Sequence, residues 1–502
     1  MGVVIPLASR VNPAESQLTK RDPANLSGAE WPPRSERERL DAYAANRLLF
    51  EGDHFAVLSG KHNAVHDYEY ISINLPKNIV TIVADLLFGE DLTLVYPDET
   101  PDAAKEKVDE IWERNDMQAL LFEGALDTGY AGDGVWTVGR EADGESGKAK
   151  IRTHPADTWF PEQNEDDVRD ILRHRLAWVK KYTPEGGKEL QFLRVVVHEK
   201  GRVLHQLYRL KDGKVGAAAS PDEWAYFYET PPDEVQEGLE GEFLLEHIPN
   251  FRTARAYLGT SEYKGSEDLF AVINGTATQI DGILQRHSDP MLSLPADVWD
   301  TVTNGGKRMP EREKLAVISQ GGVTGNKPEF ITWDGKLSDN LAFMDVITDQ
   351  IAVVSETAPQ LLARGEWGGD LSGIARKILL IRTLAKVRRK RRYYDTVIPR
   401  LLEKAQRMEG VTDPIKVKLG WEDGLPDDVL ERLEVADRRL ANGTESHKGA
   451  IKTLDNATDA EAESKLEEIE DDGQTEAEAV SRQASQRPKP VIQVSANMGD
   501  VE

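Results

Sequence analysis

The sequence predicts an α+β fold in which helices, a block of strands, a helix pair and a long basic helix follow one another along the chain. Three observations predict it. Between Val135 and about Tyr228, short apolar runs are punctuated by Asp143-Gly144, Gly186-Gly187, Lys200-Gly201 and Asp212-Gly213, the pattern of hairpin-linked antiparallel strands. Two amphipathic helices, each about twenty residues and about 30 Å long, enclose a compact glycine-containing unit at 290–336. After the loop Gly365-Glu366-Trp367-Gly368-Gly369-Asp370, apolar residues at Leu371, Ile374, Ile378, Ile381, Leu384, Tyr394, Ile398 and Leu401 fall on one face of a long helix.

In chain order, residues 1–34 contain Pro6, Pro13, Pro23, Pro32 and Pro33 and read as an extended arm. Ser35 to Glu51 is helical, with Leu40, Tyr43, Ala44, Arg47 and Leu48 on one side. A loop with His54, His62 and His66 follows. The next helix, from about Lys77 to Phe88, shows Ile79, Val80, Ile82, Val83, Leu86 and Leu87, and Gly89 supplies its C-cap. Then come a strand at 91–96 and helices at 102–115 and 117–130. The strands are expected at 135–139, 149–153, 171–181, 190–199 and 203–210, with alternation clearest from Phe192 to His198.

Ser266 caps the first of the paired helices, and Glu267 and Asp268 in its first turn suit the helix dipole. Its stripe is Leu269, Ile273, Thr276 or Ala277, Ile280, and Ile283 or Leu284, and Pro290 stops it. The second helix starts at Ser338, shows Leu341, Met344, Ile347, Ile351 and Val354, and ends before Pro359. Between them, strands are expected at 314–319 and 329–333. The long helix spans roughly 40 Å to Pro399, and about 55 Å if it continues, kinked, to Met408. Beyond it are a strand at 415–421, a helix from Asp427 or Asp428 to Leu440, and a short acidic helix opened by the capping box Thr458-Asp-Ala-Glu461. The tail from Asp471, rich in Gln, Ser and Pro, reads as disordered.

Composition narrows the function. At 502 residues, two to four domains or one elaborate architecture are expected, and 39% hydrophobic residues suffice for cores. The absence of cysteine excludes disulfides, thiolate metal sites and a cysteine nucleophile. No run approaches the roughly 18 apolar residues of a membrane span, and no leader-like segment opens the chain, so a cytosolic origin is expected. The net charge of −26 argues against general adhesion to nucleic acid, which needs surplus Lys and Arg. Charge is also uneven: 455–480 is strongly acidic, whereas 374–407 is basic with only Asp395 and Glu403 as acids. Within it, Arg388-Arg389-Lys390-Arg391-Arg392 sweeps about 400° of helix and cannot face one surface. Asp395 can reach Arg391 or Arg392, and Glu403 can serve Arg400 or Arg407. The remaining charges need acids from elsewhere, those of a neighbouring subunit among them, DNA phosphates, or water.

The order helix, β tip, helix, glycine loop, long helix resembles the portal proteins, or head-to-tail connectors, of tailed bacteriophages. Local stretches match as well. Asn74-Leu-Pro-Lys-Asn-Ile-Val80 through Leu87-Phe-Gly89 is similar to the family's asparagine–lysine helix ending in a Leu/Phe-Gly turn. Gly265-Ser-Glu-Asp-Leu269 is similar to the start of the first stem helix. Leu371-Ser-Gly-Ile-Ala-Arg376 resembles the start of the helix after the tunnel loop. The resemblance covers about 35–480.

It implies a portal fold with an α/β wing (35–265, after an N-terminal arm at 1–34), a two-helix stem (266–289 and 337–358) and a small β-containing clip (290–336). A tunnel-loop region (359–370) with the loop Gly365–Asp370, a long wing helix with return strand (371–424) and a helical crown (425–470) would follow, with a disordered tail at 471–502. The resemblance also implies a homo-oligomeric ring, dodecameric in that family, at one capsid vertex of the virion and assembled in the host cytoplasm. Double-stranded DNA would pass through it during packaging and ejection, and an acidic lumen would keep that DNA sliding. Its implied partners are the terminase large subunit, a head–tail adaptor, and the major capsid and scaffolding proteins; no membrane, cofactor, metal or catalytic residue is implied. Pro399 departs from the pattern by interrupting the long helix.

Other readings of single motifs are weaker. His62 and His66 lack a His-Glu-x-x-His context and read as solvated or hydrogen-bonding side chains. Gly321-Gly-Val-Thr-Gly-Asn-Lys327 lacks the Gly-Lys-Ser/Thr ending of a phosphate loop and reads as a hairpin turn, so the chain is not expected to be the packaging ATPase. Trp367 could contact DNA or pack the loop down. A non-viral ring or scaffold protein, and a metal-dependent nuclease built from scattered Asp/Glu pairs, are the alternatives.

Overall fold

The computed structural model describes residues 26–59, 70–140, 147–287, 291–294, 317–319, 329–331, 337–362, 377–421, 429–455 and 462–469. The chain forms two compact units, one of Met1–Leu371 with Ala375–Gly424, the other of Ser372–Ile374 with Leu425–Glu502. Both helices and sheets are present, in agreement with the α+β reading.

The larger unit opens with helices α1 (Arg37–Glu51), α2 (His54–Leu58) and α3 (Leu75–Phe88), then β1 (Thr93–Val95), α4 (Asp102–Arg114) and α5 (Met117–Ala131). Helix α1 ends on Gly52, whose φ of 98° is left-handed. Helix α3 begins where the Asn74 side chain accepts from Lys77 N at 3.0 Å, with Pro76 in the first turn. At its other end Gly89 is the C-cap, as expected, in a right-handed conformation (φ −70°) with its N–H on Asp85 O.

Strands follow: β2 (Asp133–Arg140), β3 (Ala149–His154), β4 (Trp159–Gln163), β5 (Ile171–Tyr182), β6 (Leu190–Glu199), β7 (Arg202–Lys211) and β8 (Lys214–Ala218). The short helix α6 (Pro221–Trp224) leads to β9 (Val235–Glu237) and β10 (Leu245–Pro249). Strands β4 to β8 form one antiparallel sheet in chain order, with β9 also pairing with β7. A second sheet has the order β10-β2-β3. Residues 28–31 of the expected arm run along β8, and Trp31 packs on Phe160 at 4.6 Å between ring centres.

Helix α7 (Glu267–His287) and helix α8 (Leu337–Val354) pack against each other. Phe270, Ala271 and Ile273 near the start of α7, and Ile351 and Ala352 near the end of α8, share one core with Leu49, Leu58, Leu75 and Ile79. The pair is therefore rooted in the body at one end. Toward its other end, Leu284 and Leu341 are exposed. Of the unit between the helices, β11 (Met291–Leu294), β12 (Val317–Ser319) and β13 (Glu329–Ile331) are described; β11 is central, parallel to β12 and antiparallel to β13.

Helix α9 (Ile381–Met408) corrects the expected course of the long helix. It is not interrupted at Pro399, which lies buried inside it. Proline removes one backbone hydrogen bond, a loss of about 3 kcal/mol in a helix interior, but the fully buried Ile398, Leu401 and Leu402 beside it hold the chain in register. The break falls at Leu380, a turn residue buried in the core between exposed Ile378 and Ile381. Thr383 Oγ, at the start of α9, accepts from Ala358 N at 2.8 Å and donates to Glu356 O at 3.2 Å. At the far end, Gln406 exchanges two hydrogen bonds with Ile415, and β14 (Lys418–Gly420) returns to pair with β1. Residues 371–376 lie outside the described residues.

The smaller unit contains α10 (Val429–Ala441), α11 (His447–Asp455) and a helix at 462–469. Lys448 and Glu463 pair at 3.4 Å. Residues 456–461, with the expected capping box, lie outside the described residues.

One contact in the larger core is sensitive to a single methyl. A Cβ at Gly124 in α5 would run into the ring of Trp136, which is fully buried in β2. Gly124→Ala is expected to cost about 1–3 kcal/mol, seen as a lower urea midpoint with an unchanged m-value.

Candidate functional site

Helix α9 crosses β10, β2, β3, α3 and α4, and the fold sorts its cations by type. Lys386, Lys390 and Lys404 are buried, each 6% exposed, whereas Arg382, Arg388, Arg389, Arg392, Arg400 and Arg407 are exposed. The three lysines share the helix face of Thr383, Val387, Tyr394, Val397 and Leu401, the face that packs on the body. A lysine stem can cross an apolar layer if its ammonium finds partners beyond it.

Those partners come from the chain just before α7 and just after α8. Glu262 receives Lys386 Nζ on Oε2 at 2.9 Å and Lys390 Nζ on Oε1 at 2.5 Å, and Asn250 Nδ2 also donates to Oε1 at 3.1 Å. Lys386 further donates to Ser355 O at 2.6 Å and Thr357 Oγ at 3.2 Å. Lys390 also donates to Asn250 Oδ1. One carboxylate thus meets two ammonium groups, a net charge of +1. Burial alone would raise the Glu262 pKa, but Lys386 and Lys390 outweigh it and hold the carboxyl at about 2, below the ordinary 4.5. Burial pushes Lys390 down, with Lys386 adding to it and Glu262 opposing. Further along, Lys404 joins α9 to β10 through Glu246 at 2.5 Å and Phe243 O at 2.7 Å.

The five-residue basic run is divided between these environments. Lys390 faces the core, Arg389 pairs with Glu356, and Arg391 donates to Leu86 O at 3.1 Å and lies 4.9 Å from the Trp421 ring centre. Arg388 and Arg392 are exposed and have no ion-pair partner among the described residues. Asp395 accepts from Trp421 Nε1 at 2.7 Å, and Arg407 pairs with Glu242 rather than Glu403. Gly365, Glu366, Trp367, Gly368, Gly369 and Asp370 lie outside the described residues.

The histidines are structural where they are described. His54, expected in a loop, lies in α2 with its ring held by Leu49 O at 3.0 Å and Asn274 at 2.8 Å, and burial lowers its pKa. His62 and His66 lie outside the described residues. A buried His247–Asp133 pair at 2.6 Å, with Gly259 N also donating to Asp133, abuts the rings of Trp159 and Tyr257 rather than a nucleophile. Among the described residues, no three His, Asp or Glu side chains gather as metal ligands, and no helix is long and apolar enough to cross a membrane.

The sequence reading missed Glu262 and, although it divided the basic run among several directions, did not place Lys390 in the core. The available signal was the spacing 386, 390, 404, which puts lysines, and no arginine, on the apolar face. Glu262→Gln keeps the shape but leaves two buried ammonium groups without a counter-charge, an expected loss of about 3–5 kcal/mol, read as a lower urea midpoint at neutral pH. Because the folded pKa lies below the unfolded one, the wild-type carboxylate contributes fully above about pH 4.5 and loses that contribution as pH falls toward about 2. Melting temperature followed over that range should show the acid limb in wild type and a flatter one in the variant.

Residues 341–479 match the family model described as phage portal protein, SPP1 Gp6-like. None of the curated proteins matches the chain. The match takes in nearly all of α8, the whole of α9 with its buried lysines, and the helices of the smaller unit; α7, the β unit at 290–336 and the stretches 74–89 and 265–269 lie outside it. Over residues 341–479, the chain is similar to the phage portal protein family.

Proposed function

We propose that the protein forms the ring at one capsid vertex through which double-stranded DNA is packaged and ejected, a structural conduit rather than an enzyme. The family match carries this reading, and one feature inside the matched segment supports it: α8 exposes Phe343, Val346, Val353 and Val354, 47%, 55%, 50% and 42% accessible. Apolar residues repeated along one helix suit burial against another protein surface. In this reading, α7 and α8 belong to the stem, 290–336 to the clip that docks terminase and then a tail adaptor, and 425–470 to the crown. Gly365–Asp370 forms the tunnel loop. Exposed Arg388 and Arg392, together with Arg389 on Glu356, face the neighbouring subunit, and the ring sits among capsid and scaffolding proteins.

Negative-stain microscopy of the full chain tests the reading. Rings with a central hole are expected, and DNA-filled capsids carrying the protein at one vertex separate a viral portal from another ring-forming protein. A compact monomer that cleaves DNA with divalent cations would instead establish the nuclease alternative. Phe343→Asp combined with Val346→Asp is expected to leave circular dichroism unchanged and convert rings to monomers in sedimentation velocity. Rings that survive the double variant would remove this helix face from the contact.

The loop has its own test. Replacing Glu366 and Asp370 with Lys is expected to slow DNA packaging, with recovery at higher salt as phosphate contacts are screened. An unchanged packaging rate would take the loop out of the channel wall.

A further inference from the structure

A cleft of about 590 Å³ lies where α7 and α8 root in the body, and three independent features of its lining describe one ligand. Lys386 and Lys390 line it against the buried carboxylate of Glu262, while the other lining carboxylate, Glu356, pairs with Arg389, so its buried wall carries surplus positive charge. Lys386 has three hydrogen-bond acceptors for its three N–H groups, but Lys390 has only two, Glu262 and Asn250. Ser355, 4% exposed, lines the same cleft, and its buried hydroxyl has no hydrogen-bond partner among the described residues. At the rim, Phe251 and Val354 are 50% and 42% exposed.

A buried excess of cation favours an anion, and a buried hydroxyl favours an acceptor oxygen. An apolar rim suits a hydrocarbon stem behind that oxygen. An acidic side chain combines all three, and its carboxylate would balance two ammonium groups with two carboxylates. We propose that this cleft receives an Asp or Glu side chain from a second copy of the chain, seated against Lys390 and the Ser355 hydroxyl.

Two observations identify the donor as a second copy. The chain holds 88 acidic against 62 basic residues, so copies present acidic side chains to one another readily. The rim residue Val354 also continues the exposed face of α8 formed by Phe343, Val346 and Val353. The inference rests on the ring-forming reading and adds to it a named socket.

The test uses full-length protein with a photo-crosslinking phenylalanine analogue at position 251, assembled from an equal mixture of nitrogen-15-labelled and unlabelled copies. Mass spectrometry of crosslinked rings should show mixed-isotope pairs whose second peptide contains Asp or Glu beside the linked residue. Lys390→Gln leaves the neutral Glu262–Lys386 pair, and it should raise the protein concentration needed for ring formation by about tenfold or more. Ser355→Ala, which disturbs no charge, should shift it in the same direction and covers the case in which Lys390→Gln fails to fold. Intact rings in which position 251 links only within its own copy, or to DNA or another protein, would overturn the proposal and leave the portal reading standing. So would folded Lys390→Gln assembling at the wild-type concentration. Wild-type protein that never forms rings would overturn the portal reading, and the socket with it.

Discussion

Glu262 stands where three stretches of chain converge: the segment entering α7, the segment leaving α8, and the buried face of α9. Two lysines reach it across an apolar layer, and each would be costly to bury alone. Replacing such a set with apolar side chains is often neutral in stability, so its presence says more about arrangement than about total free energy. What it specifies is position. Lys386 also holds Ser355 O and Thr357, and Lys390 also holds Asn250, so an axial slip of α9 by one turn, the spacing of the two lysines, would leave one ammonium on Glu262 and carry the other away from its acceptors. Apolar packing of Val387, Tyr394 and Val397 tolerates small shifts more readily than these hydrogen bonds do.

The sorting of lysines inward and arginines outward on α9 follows from the chemistry of the two groups. An ammonium is compact and can be enclosed by three acceptors, as Lys386 is by a carboxylate, a carbonyl and a hydroxyl. A guanidinium has five donors in a plane, harder to satisfy at the end of an apolar tunnel and well suited to rings, carbonyls and exposed carboxylates. Arg391 on Trp421 and Leu86 O, and Arg389 on Glu356, are contacts of that second kind.

Much of this architecture was legible because local pattern and tertiary demand agree. The long strands β5, β6 and β7 and the helices α3, α4, α5, α7 and α8 fall close to their expected bounds, since each buries a periodic apolar face. Short elements were not legible. Strand β4 contains Pro161, β9 has three residues, and β10 ends on Pro249, so they exist through pairing with β5, β7 and β2 rather than through their own composition. Pro399 misled for a related reason: a local rule predicts an interruption, and the packing around the helix overrides it. At the candidate site, the cations were visible but their acid was not. Glu262 lies 124 residues before Lys386, and no periodicity links positions that far apart.

The two paired helices are held at their roots by the core around Phe270 and Ile351 and, beside it, by the charged cluster at Glu262. Such an arrangement behaves as a lever. Helix α7, at 1.5 Å per residue, is roughly 31 Å long, so a tilt of about 5° at its root carries its far end about 3 Å. A movement of that size is comparable to the spacing that makes or breaks a hydrogen bond between short strands such as β11 and its neighbours. Small adjustments of packing in the body can therefore become changes of contact at the distant β unit, with no helix having to bend.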